Sequence, residues 1–366
     1  PPPGMRLVPE PRKVQTLTPA SFGDLPNWAN DDHRAALAAF RLGCVALKAE
    51  HWRGACGRAQ ILNEKTTSTS AARAFFEAEF VPNAVSNDDG SNTGLVTGYY
   101  EPVVRGSRQR RAPFVHPLYG QPDDLVVVDL TAVSPELRNL RLRGRLDGRK
   151  VVPYYNRAEI ESGRAPVAGK ELLYLDDPIE AFFLQIQGSG RVRMPDGTQV
   201  RIGYAEHNGH PYRSIGRWLI DQGEMKLEQA SMQGIQAWAR ANPTRLAELL
   251  NQNPSYVFFR EVPPDSIPPS LGARGALGVP LSPERSIAVD QRFIPLGAPV
   301  YLATTRPNTT IPLERLMTAQ DIGSAIRGAV RADFYWGVGQ TAGEEAGRMR
   351  QSGRMWVLLP RGFKPE

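Results

Sequence analysis

Apolar side chains recur with a helical period in two segments near the N-terminus. Polar residues 30–32 can cap a helix, and after them Leu37, Phe40 and Cys44 stand three or four positions apart. The segment 71–80 (AARAFFEAEF) follows three hydroxyl residues and carries a second apolar face. This spacing predicts two helices within the first eighty residues.

From residue 93 onward the pattern changes to short segments in which apolar and polar residues alternate. The segment 93–104 (TGLVTGYYEPVV) is punctuated by glycine and is typical of strand, and many short strands follow within 105–262. The clearest hairpin is 191–204 (RVRMPDGTQVRIGY), where apolar residues alternate on both sides of a Pro-Asp-Gly turn. Helical periodicity returns over 211–243.

A stretch rich in proline and glycine, 261–278, separates this region from the C-terminal part and predicts a linker or crossover. Beyond it, short strands resume, with one small helix at 341–353. The strand segments are 286–290, 298–305, 315–321, 328–337 and 354–360. These strands are too few to close a barrel alone, so they require partners such as 93–100. The predicted fold is therefore mainly β, with peripheral helices and a separate β-rich middle region.

Composition changes this picture little. The 366 residues carry a formal net charge of +6, which favours an acidic partner such as nucleic acid, anionic lipid or an anionic wall polymer. The basic stretches 105–112 and 137–150 lack the interleaved aromatic residues of a nucleic-acid groove, so we interpret both as solvated loops. The chain has no apolar run of about 18 residues that would span a membrane. Its N-terminus lacks a signal pattern, and we expect that any signal or lipid attachment site has been removed.

Several common site chemistries fail on pattern. Two cysteines, Cys44 and Cys56, cannot form a zinc site alone, and they fit a buried reduced pair as well as a disulfide. The HNGH loop at 207–210 is more typical of structural histidines than of metal ligands. Ser189 follows Gln187 where a serine nucleophile requires glycine. We therefore predict no metal and no cofactor.

Two aspartates near the C-terminus are the strongest candidates for chemistry. Asp321 lies in AQDIGS, which lacks the hydroxyl residue of an aspartic protease, and Asp333 precedes the aromatic residues 334–336. An aspartate in a partly dry cleft has a raised pKa and can act as a general acid. Aromatic rings beside it could stack on sugars. On spacing alone, two aspartates that cap turns of a barrel explain the pattern equally well.

A second candidate surface is the segment 182–192 (FFLQIQGSGRV). Gln185, Gln187 and Ser189 alternate, so a strand would place their polar groups on one side. Such a row suits the recognition of sugars or peptides, and it fits a solvent-facing strand as well.

Four motifs occur in an order that is specific to one family. They are 97–102 (TGYYEP), 182–192, 286–302 (SIAVDQRFIPLGAPVYL) and the long segment 317–349 that contains both aspartates. From about Leu95 to Val357 the chain resembles the membrane-bound lytic transglycosylase A family of bacterial cell-wall enzymes. Asp290, Asp321 and Asp333 match the three aspartates for which its last domain is named.

This resemblance implies a double-psi β-barrel built from residues 1–104 and 263–366. Residues 105–262 would form an inserted β-rich domain, and the cleft between the two domains would hold a glycan strand. The implied reaction cleaves the β-1,4 bond between N-acetylmuramic acid and N-acetylglucosamine without water and leaves a 1,6-anhydro end. Asp333 matches the single catalytic acid and base, and Asp321 matches the residue that orients it.

The implied glycan contacts are polar and aromatic residues of the quoted motifs. They are Tyr99, Tyr100, Gln185, Gln187, Gly188, Ser189, Gln320, Tyr335 and Trp336. Two other functions remain open at this point. One is an inverting glycoside hydrolase in which Asp321 activates water, and the other is a wall-binding module without catalysis.

The resemblance also implies a cellular context. The family is periplasmic and is anchored to the outer membrane by an N-terminal lipid whose cysteine is absent from this sequence. An oxidising periplasm favours a disulfide between Cys44 and Cys56. The expected partners are peptidoglycan strands and cell-wall synthases, without nucleic acid, and the expected state is a monomer.

Overall fold

The computed structural model describes residues 16–363, apart from 64, 65, 136, 138, 139 and 141. The expectation for the N-terminal residues 1–15, and part of the basic stretch 137–150, therefore lie outside the described residues. The helices are α1 (His33–Cys44), α2 (Glu50–Ile61), α3 (Thr69–Glu79), α4 (Arg157–Glu161), α5 (Pro178–Gln187), α6 (Ile215–Asp221), α7 (Met232–Ala241), α8 (Leu246–Leu250) and α9 (Gln340–Arg348).

Strands form the larger part of the regular structure. They are β1 (Leu17–Pro19), β2 (Phe80–Val85), β3 (Gly94–Glu101), β4 (Val103–Ser107), β5 (His116–Tyr119), β6 (Val126–Val127), β7 (Arg143–Asp147), β8 (Lys150–Val152), β9 (Glu171–Leu175), β10 (Ser189–Arg193), β11 (Gln199–His207), β12 (Val257–Glu261), β13 (Ser286–Val289), β14 (Pro299–Thr305), β15 (Pro312–Asp321), β16 (Ala332–Val338) and β17 (Arg350–Pro360).

The two helices predicted near the N-terminus are confirmed, because local capping fixes where they begin. The carboxylate of Asp32 accepts hydrogen bonds from the first backbone N–H groups of α1. Ser68 accepts one from the backbone of α3 in the same way. The sequence pattern did not predict α2. A disulfide joins Cys44, the last residue of α1, to Cys56 in α2.

Six strands close into a barrel in the order β17-β14-β15-β13-β16-β3, and β3 pairs back onto β17. Closure depends on the length of β17, whose first residues pair with β3 while its middle pairs with β14. The last residues of β17 pair with β2, and β1 extends the sheet beyond it. The pairing of β3 with β16 confirms that 93–100 supplies a partner to the C-terminal strands.

A buried ion pair fixes the N-terminal helices to this barrel. The guanidinium of Arg285 donates two hydrogen bonds of 2.9 Å to the carboxylate of Asp31, just before α1. The backbone N–H of Leu316 in β15 donates a third, at 2.7 Å. Because every oxygen of Asp31 has a strong donor, this charge can be buried.

The middle region forms a second sheet of six strands in the order β12-β11-β10-β4-β9-β5. A bridge between Gly120 and Phe259 links its two outer strands. β10 and β11 pair antiparallel across the turn 194–198, which confirms the predicted hairpin. Helices α5 to α8 pack together in a separate apolar core, and β6, β7 and β8 form a small third sheet.

The segment 178–187 is a helix, which corrects the strand predicted from the alternation of polar residues. Asp177 caps this helix by accepting from the backbone of Ile179 and Glu180, and Pro178 occupies its first position. Gly188 ends it in a left-handed conformation, with φ of 79°. Gln185 therefore points into the domain instead of lining a strand edge.

The segment between β12 and β13 leads the chain from the second sheet back to the barrel. Within it, residues 272–281 form a small irregular hairpin, which we call the crossover hairpin. Gly272 N–H bonds the carbonyl of Leu281 at 2.8 Å, and Leu281 N–H bonds that of Ala273 at 3.0 Å. The hairpin lies across the end of β15, where Asp321 is located.

Candidate active site

Asp321 and Asp333 lie on the same face of the barrel wall. β13 runs between β15 and β16, and its residue Ala288 is in register with both aspartates. Residues paired directly across neighbouring strands point to the same side of a sheet. The two aspartates are therefore two strand spacings apart, about 10 Å between their Cα atoms, and the small Ala288 lies between them.

Asp333 is half-buried and has a neutral donor and a distant cation as its neighbours. The hydroxyl of Thr97, in register on β3, donates to its Oδ1 at 2.7 Å. Arg331 lies two residues earlier and donates to the carbonyls of Leu95 and Ala332. Burial raises the pKa of the Asp333 carboxyl, and the Thr97 hydrogen bond and the Arg331 charge oppose that rise.

Asp321 is held by three neutral donors. The backbone N–H groups of Ala276 and Ile322 each donate to its Oδ1 at 2.9 Å, and the hydroxyl of Tyr99 donates to Oδ2 at 3.1 Å. Burial raises the pKa of Asp321 to about 6 against these contacts, and the charge of Asp333 adds to the rise. Two carboxyl groups whose pKa values are raised by burial therefore share one face.

Tyr99 and Tyr335 form a second row beside the aspartates. They are in register on β3 and β16, with ring centroids 5.2 Å apart. Burial raises the pKa of both hydroxyl groups, so both remain protonated donors. Of the predicted site residues, the structure thus brings Tyr99, Tyr335, Asp321 and Asp333 together.

Trp336 and Gln320 are placed elsewhere, which corrects their predicted contact with glycan. Trp336 alternates with Asp333 along β16, so its ring packs against Phe334 in the barrel core. A bulge leaves Gln320 without a partner on β13. Its buried amide oxygen accepts a hydrogen bond from the hydroxyl of Ser286, and its amide nitrogen donates one to the carbonyl of Ala39 in α1. Both side chains are buried, and neither lies on the barrel face that carries the two aspartates.

Tyr100 and Gln185 also differ from expectation. Tyr100 points to the opposite face of β3 from Tyr99, where its ring contacts Gly343 of α9 and borders a cavity of about 350 Å³. Gln185 is buried, and its amide oxygen accepts from the guanidinium of Arg157 at 2.8 Å. The predicted contact is therefore wrong for the buried side chain of Gln185, whereas a glycan contact of Tyr100 stays a prediction.

The junction of α5 and β10 contacts the strand that carries Thr97. Gln187, the last residue of α5, accepts from the backbone N–H of Tyr100 at 3.0 Å. Gly188 follows it, and Ser189 begins β10 on the same face as Arg191. The contact of Gln187, Gly188 and Ser189 with glycan stays a prediction.

The pattern of the sequence did not single out three groups of the site. Thr97 and Arg331 each stand two residues from a predicted site residue, so strand alternation could have indicated both. Ala276 acts through its backbone N–H, which carries no signal in the sequence.

Asp290, the third aspartate, differs from the other two. It follows β13 and accepts from Arg292 Nε at 2.9 Å and from the backbone N–H of Gly328 at 2.9 Å. Burial acts to raise the pKa of Asp290, but these hydrogen bonds prevail and lower it. Asp290 therefore stays ionised and holds the loop before β16.

The described residues contain neither a cluster of potential metal ligands nor a membrane-spanning helix. Within 16–363, less the six positions left out, no three His, Cys, Asp or Glu side chains are grouped as metal ligands would be. In the same part of the chain, none of the helices has the length and apolar character needed to cross a membrane.

Comparison with known proteins places this site in a family. A family model described as the MltA specific insert domain matches residues 95–260, and one described as the 3D domain matches residues 285–359. The membrane-bound lytic murein transglycosylase A of Escherichia coli K12 is 37% identical over 290 residues, which are 76% of this chain and 70% of that protein. The Vibrio cholerae protein of the same name is 32% identical, over 77% and 70%.

Solved structures agree. The crystal structure of MltA from Neisseria gonorrhoeae is 44% identical with a TM-score of 0.81, over 96% of this chain and 94% of that one. A membrane-bound lytic murein transglycosylase from Agrobacterium tumefaciens is 32% identical with a TM-score of 0.83, over 95% and 98%. Escherichia coli MltA with bound chitohexaose is 27% identical with a TM-score of 0.70, over 96% and 99%.

These matches confirm the predicted fold class, a double-psi β-barrel with a second, inserted β-rich domain. The matched regions include both aspartates and the strands that carry them. The chain belongs to the membrane-bound lytic murein transglycosylase A family.

Proposed function

We propose that Asp333 is the single catalytic carboxyl group of this lytic murein transglycosylase. Membership of the family makes the chain a lyase that acts on peptidoglycan. The supporting observation is the unequal set of contacts: three neutral donors hold Asp321, whereas Asp333 has the hydroxyl of Thr97 among the described residues. Oδ2 of Asp333 accepts no hydrogen bond from the described residues and is open to a substrate oxygen, and burial raises the pKa of this carboxyl, which favours the acid form that donation requires.

In the first step, protonated Asp333 donates its proton to the oxygen of the β-1,4 bond. The C1–O bond of the muramic sugar breaks, the leaving oxygen keeps the electron pair and the proton, and an oxocarbenium-like sugar forms. The anion of Asp321, on the same face, lies where it can stabilise the positive charge that develops.

In the second step, the C6 hydroxyl of the same sugar attacks C1 and loses its proton to Asp333. The product is the 1,6-anhydro ring, and Asp333 regains the proton it gave, so no water is consumed. Capture by a tethered hydroxyl has the advantage of high effective molarity, and a second catalytic carboxylate is not required.

Thr97 and Arg331 fit the same cycle. Both favour the anion of Asp333, which exists only between the two steps. They therefore make proton donation easier without adding a group that reacts.

The glycan strand would lie in a cleft between two walls. We propose that residues 1–104 and 263–366 form the catalytic barrel and that 105–262 form the other wall. Tyr99 and Tyr335 would contact the sugars beside the aspartates. Gln187, Gly188 and Ser189 would contact them from the second wall, because their junction touches β3.

The names of the relatives support a proposal for the cellular setting. Their names describe them as membrane-bound, and we propose that this chain works in the periplasm as a monomer, attached to the outer membrane by a lipid. The disulfide between Cys44 and Cys56 agrees with an oxidising compartment. Cell-wall synthases are proposed as further partners.

Mass spectrometry of murein sacculi digested with the enzyme tests the reaction. The expected products are soluble fragments that end in 1,6-anhydromuramic acid. They are about 18 Da lighter than hydrolysis products, because no water is added. Reducing ends would instead indicate an inverting hydrolase. Binding to sacculi without release of fragments would indicate a module without catalysis.

A further inference from the structure

The crossover hairpin places a backbone donor on Asp321. Its tip is the turn 275–278, closed by a hydrogen bond of 2.9 Å from Gly278 N–H to the carbonyl of Gly275. Ala276 N–H donates to Asp321 Oδ1, and Leu277 N–H donates to the carbonyl of Gln320 at 3.0 Å. A Cβ at position 275 would lie 2.5 Å from the backbone carbonyl oxygen of Gln320. The close approach of the hairpin to β15 therefore requires glycine at this position.

The chain just before this hairpin is held by two arginines of the inserted domain. Arg191 Nη2 donates to the carbonyls of Pro269 and Leu271, at 3.0 and 3.2 Å. Arg201 Nη2 donates to those of Pro268 and Leu271, at 3.2 and 3.1 Å. Leu271 is the residue next to the first hydrogen bond of the hairpin. The inserted domain therefore grips the base of the hairpin, and the tip touches Asp321.

These arginines are arranged in a way that stability alone does not favour. Arg191 and Arg201 are directly opposite each other on β10 and β11, and like charges in such positions repel. The carboxylate of Glu101 on β3 accepts from Arg191 at 3.2 Å and offsets part of that repulsion. Backbone carbonyls of the crossover segment accept hydrogen bonds from Nη2 of both arginines. The pair thus depends on the hairpin being in place.

Polar atoms around the same base are also incompletely paired. Within the described residues, Glu101 Oε2, Arg201 Nη1 and the hydroxyl of Tyr335 are buried without a hydrogen-bond partner. A Cβ built on Gly272 would lie 2.1 Å from that hydroxyl, so the tyrosine packs directly against the hairpin base. Buried unpaired polar atoms cost stability, and in native proteins they often mark a functional site.

We propose that Arg191 and Arg201 are positioning residues that act on Asp321 through the crossover hairpin. The position of the inserted domain then decides whether the N–H of Ala276 reaches the carboxylate in the barrel. This inference rests on the proposed function, because it concerns how the anion beside the catalytic Asp333 is maintained.

The direction of the effect follows from the groups that face Asp321. They are the N–H groups of Ala276 and Ile322, the hydroxyl of Tyr99 and the carboxyl of Asp333. Losing the Ala276 donor removes a contact that lowers the pKa of Asp321, so this carboxyl would titrate above about 6. The acidic limb of the kcat/KM profile reports the residue that must be ionised, and it should move to higher pH.

The sharpest test is Ala276→Pro, which replaces this N–H by a ring carbon, so that the hydrogen bond is lost and Asp321 Oδ1 must move away from the hairpin. Ala276 occupies the second position of the turn 275–278, where proline is favoured, and the preceding residue is glycine. We expect the acidic limb to rise by about one pH unit, since a hydrogen bond to a charged group is lost. An acidic limb that stays in place, or that moves to lower pH, would overturn the proposal.

Arg201→Gln and Arg191→Gln test the connection from the inserted domain. Each should move the acidic limb in the same direction as Ala276→Pro, by a smaller amount. Arg108→Gln is the matched control, because Arg108 forms an ion pair with Glu261 in the same domain and is half-exposed. It should leave the profile unchanged.

A purely structural grip gives a different result. Arg201→Gln would then lower the rate by the same factor at every pH, and that outcome would overturn the proposal even if Ala276→Pro shifts the limb. Circular dichroism checks that each variant is folded, and Arg201→Lys replaces Arg201→Gln if the latter does not fold.

Failure of this inference is distinguishable from failure of the proposed function. If Asp333→Asn is inactive while Ala276→Pro has a normal profile, the catalytic assignment stands and the positioning proposal falls. If Asp333→Asn remains active, the catalytic assignment falls first.

Discussion

The barrel holds carboxyl groups in two regions, and the two regions differ in the kind of donor that contacts them. Under α1, Asp31 receives two hydrogen bonds from the Arg285 guanidinium and one from a backbone N–H. On the barrel face that carries Asp321 and Asp333, which we call the cleft face after the proposed glycan cleft, both carboxyl groups receive hydrogen bonds from neutral donors. The first region is fixed as an ion pair, whereas burial raises the pKa of both carboxyl groups in the second.

The difference shows that burial alone does not decide the protonation state of a carboxyl group. A buried carboxylate with a full complement of charged donors remains ionised and links two parts of the fold. A buried carboxyl with neutral donors can gain or lose a proton near neutral pH, which acid and base chemistry requires. Asp290 belongs to the first group, because hydrogen bonds from Arg292 and Gly328 outweigh its burial.

The largest effect is expected for Asp333→Asn on the cleft face. Asparagine has nearly the same shape but can neither donate the proton nor accept it back. We expect kcat to fall by about 10²–10⁴ or more, because one group serves both steps. The rate of release of anhydromuropeptides from sacculi measures this loss.

The fold and sacculus binding of this variant should remain, because the substitution removes a carboxyl whose burial is unfavourable. A variant that keeps more than about a tenth of the wild-type rate would refute the role of Asp333. Loss of folding would instead show that the cleft face resembles the region under α1.

The reverse result is expected for Asp31→Asn. The amide cannot balance the buried guanidinium of Arg285, and breaking such a pair costs about 3–5 kcal/mol of unfolding free energy. Urea unfolding measures this loss, and kcat per folded molecule should be unchanged. The matched control is Asp221→Asn, which breaks an exposed pair with Arg217 and should cost at most about 1 kcal/mol. Equal losses for the two variants would contradict the comparison.

Asp321→Asn should change how stability depends on pH. The pKa of Asp321 is about 6 in the folded protein, against an ordinary value of 3.8. The folded state therefore binds this proton more tightly than the unfolded state, and the wild type loses stability as pH rises from about 4 to about 6. The loss amounts to up to about 3 kcal/mol, because each pKa unit is worth about 1.4 kcal/mol.

Urea unfolding at a series of pH values tests this prediction. The stability of Asp321→Asn relative to the wild type should increase between pH 4 and pH 7. Asp290→Asn provides a control of opposite sign, since the lowered pKa of Asp290 stabilises the wild type as pH rises. A difference that is flat with pH would show that folding does not raise the pKa of Asp321 and would contradict the prediction. The activity of Asp321→Asn should fall, but less than that of Asp333→Asn.

Much of the fold could be predicted because its signals are local. The caps at Asp32 and Ser68 and the alternation around the turn 194–198 each act within a few residues. The helix α5 was missed because two glutamines and a serine happened to alternate, although the Asp177-Pro178 cap was visible. Barrel closure depends on pairing between β3 and β16, more than 200 residues apart, and only the family resemblance indicated it in full.

The site was predictable in its carboxyl groups and less so in its surroundings. Alternation along β16 separates Asp333 and Tyr335 from Trp336, and applying it would have removed the tryptophan from the predicted glycan contacts. Both aspartates share a face because both are in register with Ala288. This register is a property of the strand pairing and cannot be read from the sequence. The donor at Ala276 is a backbone N–H group, so the residue type at this position could not have indicated it.

The smallest predicted effect concerns Thr97→Val, which refines the comparison within the cleft face. Valine keeps the branched shape that suits β3 but removes the hydroxyl that donates to Asp333 Oδ1. The pKa of Asp333 should rise, so the alkaline limb of the kcat/KM profile, which reports the protonated acid, should move up by about one pH unit. The maximal rate should fall by roughly three- to tenfold, because the anion formed on proton donation is less stabilised. Thr304→Val is the matched control, since its hydroxyl bonds the carbonyl of Ser352 on the same barrel at 2.8 Å, and it should leave the limb in place. If the alkaline limb moves equally in both variants, or in neither, the hydroxyl of Thr97 does not tune Asp333 and the neutral-donor account of the cleft loses its most direct support.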